Sequence, residues 1–298
     1  MRPWALYTTL PAPVIRKQRG DQKMDERINA LEKERKLYMM LYFGGLIIEV
    51  AGLIGMLKGR PAAGIAVALT GLALWCAGGI WGKHRYQDHC AQTVAVFSLH
   101  VEESVFPDKK TADACFPLER LIPPSRKTGT ALHMHPVIGK LCGKKVFISE
   151  CTLPFYSRQE EKKPHFLIGT LVTACISCRY SATALCGHPF GGIFLKEDFA
   201  GWQEMETDGQ DYHAFLTDGS SAAVITDDQS RILKELGTIS EHGAIVSCST
   251  ERLAVFLPLR FYSGHYTLNT PLKPSDLDKN PLPETEKLSE LFSAFSSD

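Results

Sequence analysis

The sequence predicts an α+β domain with antiparallel strands, carried on a transmembrane helical hairpin. Two apolar runs, Leu37–Leu57 and Pro61–Trp81, are separated only by Lys58, Gly59 and Arg60. Each is about 21 residues long, or roughly 30 Å as a helix, the thickness of one bilayer core. Downstream, short β-branched and aromatic runs alternate with turn residues, the pattern of strands joined in hairpins. Between them, TDDQSRILKELG carries the capping and periodicity of a short amphipathic helix. The expected division is a tail and short helix over 1–36, the hairpin over 37–81, and a cytoplasmic α+β domain over 82–298.

Charge supports this layout and removes other classes. The chain has 33 basic and 33 acidic residues, so no global field steers it toward nucleic acid. Basic residues crowd the outer ends of the hairpin: Arg16, Lys17, Arg19, Lys33, Arg35 and Lys36 before it, Lys83 and Arg85 after it. The connecting loop has Lys58 and Arg60. The positive-inside bias therefore puts both termini in the cytoplasm and the hairpin in the inner membrane. The nine cysteines lack disulfide-framework spacing and fit a reducing compartment.

Taken in order, residues 1–23 hold three prolines and little periodicity and are expected to be disordered. Trp4–Leu10 is too short for a secretion signal. Met24 is a second candidate start, and Ile28 and Leu31 among charges predict a helix running into the first span. Within that span Glu49 is the only charged residue. An acidic side chain near mid-membrane costs about 2.5–3.5 kcal/mol, which the surrounding Leu, Ile, Val and Phe offset at about 0.3–0.6 kcal/mol each.

Gly45, Glu49 and Gly52 share a helix face, as do Gly64, Ala68, Gly71 and Gly78, so the two helices are expected to pack closely. In a hairpin centred on Gly59 and Arg60, residues whose numbers sum to about 119 lie at one depth. That sets Glu49 against Thr70 as the candidate intramembrane polar contact. Three roles are open to Glu49: a hydrogen-bonded packing residue, part of an ion or proton path, or a contact to a partner or an identical subunit.

After Trp81, the spacing of Tyr86, Cys90, Val94, Phe97 and Val101 predicts a helix leaving the membrane and closed by Pro107. Residues 108–125 read as a loop. Lys144–Leu153 and His165–Ser177 are strand-like around the charged stretch SRQEEKKP. Tyr212–Leu216 and Ala222–Thr226 flank a turn at 217–220. In the helix that follows, Thr226 or Asp227 caps, Ile232, Leu233 and Leu236 form the apolar face, and Gly237 ends it. Ala244–Cys248 and Leu253–Leu257 make a second hairpin. Residues 271–283 read as extended, and Leu288, Leu291, Phe292 and Phe295 as one face of a closing helix.

Candidate chemistry is sparse. Cys175 and Cys178 form a CxxC followed by Cys186 and His188, nominally four metal ligands. On a strand, however, positions i and i+3 point to opposite faces, and nothing between them is a turn former. Structural cysteines are the favoured reading over zinc or redox chemistry. His133 and His135 would share a strand face and read as surface or core histidines ahead of metal ligands. A cysteine nucleophile with His188 or His213 is open, because such pairs meet only in space. Asp208, Asp211, Asp218, Asp227 and Asp228 lack EF-hand spacing and read as solvated. No phosphate loop, HExxH, GxSxG or nucleotide fingerprint occurs. No cofactor, metal ligand or catalytic residue is assigned.

The blocks FPLERLIPPSR, HPVIGKLCGKKVFISECTL, HFLIGTLV, YHAFLTDGSSAAVITDDQSRILKELG and LAVFLPLRFY together resemble the bacterial two-pass membrane proteins of domain-of-unknown-function family 3137. The resemblance covers most of the chain after the hairpin. It implies an α+β cytoplasmic domain on a membrane hairpin and carries no chemistry with it. The expected function is a membrane-tethered protein-interaction or regulatory module. Its partners would be the lipid bilayer, another membrane or cytoplasmic protein, and further copies of itself. The alternative is a membrane effector or small conducting oligomer gated by the cytoplasmic domain.

Overall fold

The computed structural model describes residues 20–97, 101–105, 107, 121–122, 124–126, 132–156, 164–187, 194, 196–199, 201–205, 211–217, 224–238, 243–259, 266–277 and 285–297. These divide into a helical unit, Lys17–Ser98 with Tyr262–Asn280, and a sheet unit, Leu99–Phe261 with Pro281–Asp298. The stretch expected to be disordered before residue 20, and those expected to be loops or turn at 108–120, 157–163 and 218–220, lie outside the described residues, as do 221–223.

Helix α1 (Gly20–Leu57) runs 38 residues, about 57 Å at helical rise. Gly59, at φ +81°, turns the chain, a conformation that a side chain disfavours. Helix α2 (Pro61–Cys76) starts with proline at its first position, where no amide partner is lost. It passes through a six-residue π segment (Ala77–Gly82) into α3 (Lys83–Phe97). Both helical stretches, Met24–Leu57 and Pro61–Phe97, are long and apolar enough to cross a membrane.

The hairpin closes on small residues. Tyr38, Tyr42, Gly45, Glu49, Gly52 and Met56 face Gly82, Gly78, Trp75, Gly71, Ala68 and Gly64 respectively. Alternating steps of four and three make this a heptad seam, with glycine opposite a large residue at most levels. A methyl placed on Gly45 or Gly52 would lie 2.7 Å from the Gly71 or Gly64 carbonyl, so the backbones touch. The widened π turns carry Gly79 against the ring of Tyr42 and Gly82 against that of Tyr38, while Gly78 meets the Tyr42 backbone.

The helical unit continues past residue 82, where the α+β domain was expected to begin. α3 belongs with the helices because its Tyr86, Cys90 and Val94 are buried. The Leu272 amide donates to the Tyr86 hydroxyl at 3.3 Å, drawing 262–280 into the same unit. α3 ends at Phe97, well short of Pro107. Where an extended segment was expected over 271–283, Pro274–Leu277 makes one helical turn.

In the sheet unit, nine strands are described: β1 (Glu102–Val105), β2 (Leu132–Leu141), β3 (Lys144–Tyr156), β4 (Pro164–Ala174), β5 (Ala182–Cys186), β6 (Gln203–Glu204), β7 (Tyr212–Leu216), β8 (Ala244–Ser249) and β9 (Arg252–Leu257). They form one sheet in the order β1-β2-β3-β4-β9-β8-β5-β7-β6, every neighbour antiparallel. The two predicted hairpins are β3–β4, in register from Val146↔Ala174 to Tyr156↔Pro164, and β8–β9. One face carries Phe147, Leu153, Leu171 and Phe256 into a core with Phe194 and Phe199. Phe199 stacks on Phe215 at 4.5 Å. Arg126 Nε donates to the buried Asp198 carboxylate at 2.8 Å, and Ser125 Oγ to its carbonyl at 2.7 Å.

Helices α4 (Asp227–Leu236) and α5 (Thr285–Phe295) pack on each other. Thr226 and Gln229 form a reciprocal capping box at the start of α4, as its sequence requires. Gln229 Nε2 also donates to Ala294 O at 2.9 Å, while its Oε1 accepts from Tyr180 at 2.8 Å. Val224–Thr226, expected to be the end of a strand, joins no ladder, because Thr226 is committed to the cap.

Candidate functional site

Glu49 and Thr70 are not brought together. The hairpin is centred half a residue later than expected, on Arg60, so paired positions add to 120 and Gly71, one residue past Thr70, is opposite Glu49. One residue is about 100° of helix rotation, enough to carry Thr70 off the seam and onto the exposed face. There its hydroxyl donates to Ala66 O of its own helix at 2.9 Å. The Glu49 backbone packs on Gly71 while its side chain is half-buried at the edge of the seam. Among the described residues, no side chain of the chain hydrogen-bonds the Glu49 carboxyl.

Beyond the apolar runs, the same two helices are joined by polar contacts. Arg27 Nη2 donates to Gln92 Oε1 at 2.8 Å, and Nε to Thr93 Oγ1 at 3.4 Å. Glu34 accepts from Tyr38 at 3.1 Å, lies 2.7 Å from His89 Nδ1 and 4.0 Å from Arg85 Nε. Arg35 holds Glu32 through two 2.7 Å bonds and reaches Leu268 O at 2.6 Å. Burial pulls the Arg27 guanidinium below its ordinary pKa, against the opposing pull of Glu34. The Arg35 hydrogen bond is the main reason the Glu32 carboxyl sits below its own. Sequence reasoning saw only basic flanks here, because Glu34 and His89 lie on separate helices.

The CxxC is dismantled. β4 stops at Ala174, so Cys175–Cys178 lies in irregular chain, not on the strand expected for it. Cys175 packs against the core cluster. Cys178 instead lies beside Cys248 on β8, the neighbour that most affects its thiol. Cys178 Sγ also lies 3.8 Å from Arg252 O, and Cys248 Sγ 3.4 Å from Tyr180 O. The neighbouring Cys248 thiol draws the Cys178 thiol down despite its burial; Cys178, with burial, pushes Cys248 well up. Cys186 is fully buried in β5, its thiol pushed up by desolvation.

The remaining candidates disperse. His135 adopts φ +52° before Pro136, and the β2 register breaks between Met134 and Val137, so His133 and His135 do not continue one strand face. His133 Nδ1 is 2.9 Å from Ser149 Oγ. His213 Nδ1 is 3.5 Å from Glu204. Asp227 and Asp228 occupy the first turn of α4, and the Asp211 carbonyl accepts from Gly187. His188, Asp208 and Asp218 lie outside the described residues. Among the described residues no group of three or more metal-ligating side chains forms.

Together these features define a class: two long apolar helices followed by an antiparallel β-sheet region in an α+β arrangement. No family model, curated protein or solved structure matches the chain.

Proposed function

We propose that this chain is an integral membrane protein whose hairpin crosses the inner membrane and whose α+β part, in the cytoplasm with both termini, docks another protein. The observation that carries the reading is the outward display of the apolar helices. Only 11% and 17% of the two apolar windows are buried within the chain, whereas the core helix of a water-soluble domain hides most of its apolar residues. The long helices also change character where the bilayer would end, from a glycine seam to the Arg27, Glu34 and His89 contacts.

Docking is supported by the sheet. Leu132, Phe166 and Ile168 are 57%, 59% and 39% exposed. They share one face of β2–β3–β4 through Leu132↔Thr152↔Ile168 and Pro154↔Phe166. Contiguous exposed apolar residues of this kind mark interaction surfaces. Membership in the two-pass family that the sequence resembles is part of the same proposal. The test is affinity capture with the full chain in detergent, after showing that it stays in the membrane pellet at alkaline pH. Wild type should retain one stoichiometric protein that Phe166→Asp releases; extraction at alkaline pH sinks the membrane reading, and retention by Phe166→Asp sinks the docking face.

The second reading, a small conducting oligomer, rests on Glu49. It requires ion flux in proteoliposomes that Glu49→Gln abolishes.

A further inference from the structure

The Glu49 carboxyl is a group to which no side chain among the described residues hydrogen-bonds. It sits about two residues, or roughly 3 Å, from the middle of Leu37–Leu57. Thr70, the hydroxyl nearest in sequence register, is spent on Ala66 O and faces away. Gly71, directly opposite, offers Glu49 no side chain. A polar group left unsatisfied in hydrocarbon costs several kcal/mol by general estimate, whereas apolar lipid tails do nothing to relieve it. Leu46 and Leu53, one turn to either side, are 43% and 47% exposed. With Phe43, Val50 and Leu57, also exposed, they repeat at steps of three and four, the spacing of a second packing stripe beside the first.

We infer that this stripe is an interface between copies of the chain, with the Glu49 carboxyls of neighbouring copies hydrogen-bonded to one another. The inference rests on the membrane reading above and names the partner. Copies inserted with one topology are related by an axis along the bilayer normal, so each residue meets its own counterpart at its own depth. A neutral carboxyl both donates and accepts and is therefore its own complement. A foreign helix would have to carry a matching polar group at that depth; a second copy does so by construction.

The experiment co-expresses two differently tagged full-length copies and captures one tag from detergent. Membrane pellets at alkaline pH are scored in parallel for every variant. Wild-type copies should co-purify, Glu49→Gln should keep the association because an amide also donates and accepts, and Glu49→Leu should weaken it about tenfold, the scale of one or two intramembrane hydrogen bonds. Equal co-purification of Glu49→Leu overturns the inference, as does a wild type that captures no second copy. So does Glu49-dependent capture of a different host protein alone. Loss of the variants or wild type from the pellet instead counts against the membrane reading, which keeps the two failures distinct.

Discussion

Single glycines set how closely the hairpin closes, and the chain contains its own control. A Cβ on Gly52 would meet the Ala68 backbone and the Gly64 carbonyl, but one on Gly44 would meet nothing within 4 Å. Gly52→Ala is therefore expected to cost about 1–3 kcal/mol, the range of overpacking, and Gly44→Ala to be neutral or slightly stabilising. Thermal unfolding in detergent, followed by helical circular dichroism, reads the difference; equal melting temperatures would refute the backbone contact. At the same scale, the cysteine geometry predicts which disulfide forms first. Mild oxidation of the reduced protein with diamide should join Cys178 to Cys248, since each of these neighbouring thiols shifts the other while Cys175 packs into the core. Peptide mapping that finds Cys175 joined to Cys178 would reject this.

At the scale of elements, α4 depends on one glutamine more than on its capping threonine. Thr226→Ala removes one side-chain cap, a loss of about 0.5–2 kcal/mol. Gln229→Ala removes the other half of the box and also strands Ala294 O and the Tyr180 hydroxyl, both its partners. Unsatisfied buried groups each cost about 1–3 kcal/mol, and these half-buried ones fall toward the lower end. Denaturant unfolding should thus rank Gln229→Ala as the more damaging, and the reverse order would show that α5 does not lean on this residue. The helix itself was readable in advance, because capping residues and a 3.6-residue period are local signals. The link from α4 to α5 was not, since it joins residues 65 apart in the chain.

For the whole molecule, the basic flanks and the two-helix hairpin make one forecast about topology. A reporter active only outside the cytoplasm should be silent after Asp298 and active when inserted at Gly59. Activity after Asp298 would invert the orientation, and activity at neither site would argue against crossing altogether. The sheet places its own demands on the chain. β9 lies between β4 and β8, and β5 between β8 and β7, so the core closes only after residues far apart in sequence have met. Its local hairpins, β3–β4 and β8–β9, were foreseeable from alternation and turn residues. β5 was not, because its five residues are all buried and show no alternation.

By itself the sequence determined what depends on neighbours along the chain: two apolar helices of bilayer length, small residues on their facing sides, antiparallel strand pairs and a capped helix. Tertiary structure decided what depends on register and on distance in sequence. One residue of slip in the turn replaced Thr70 with Gly71 opposite Glu49, because each residue rotates a helix face by about 100°. The end of β4 at Ala174 separated Cys175 from Cys178 and delivered Cys178 to Cys248. Periodicity names the face that a residue occupies; only packing decides which other face it meets.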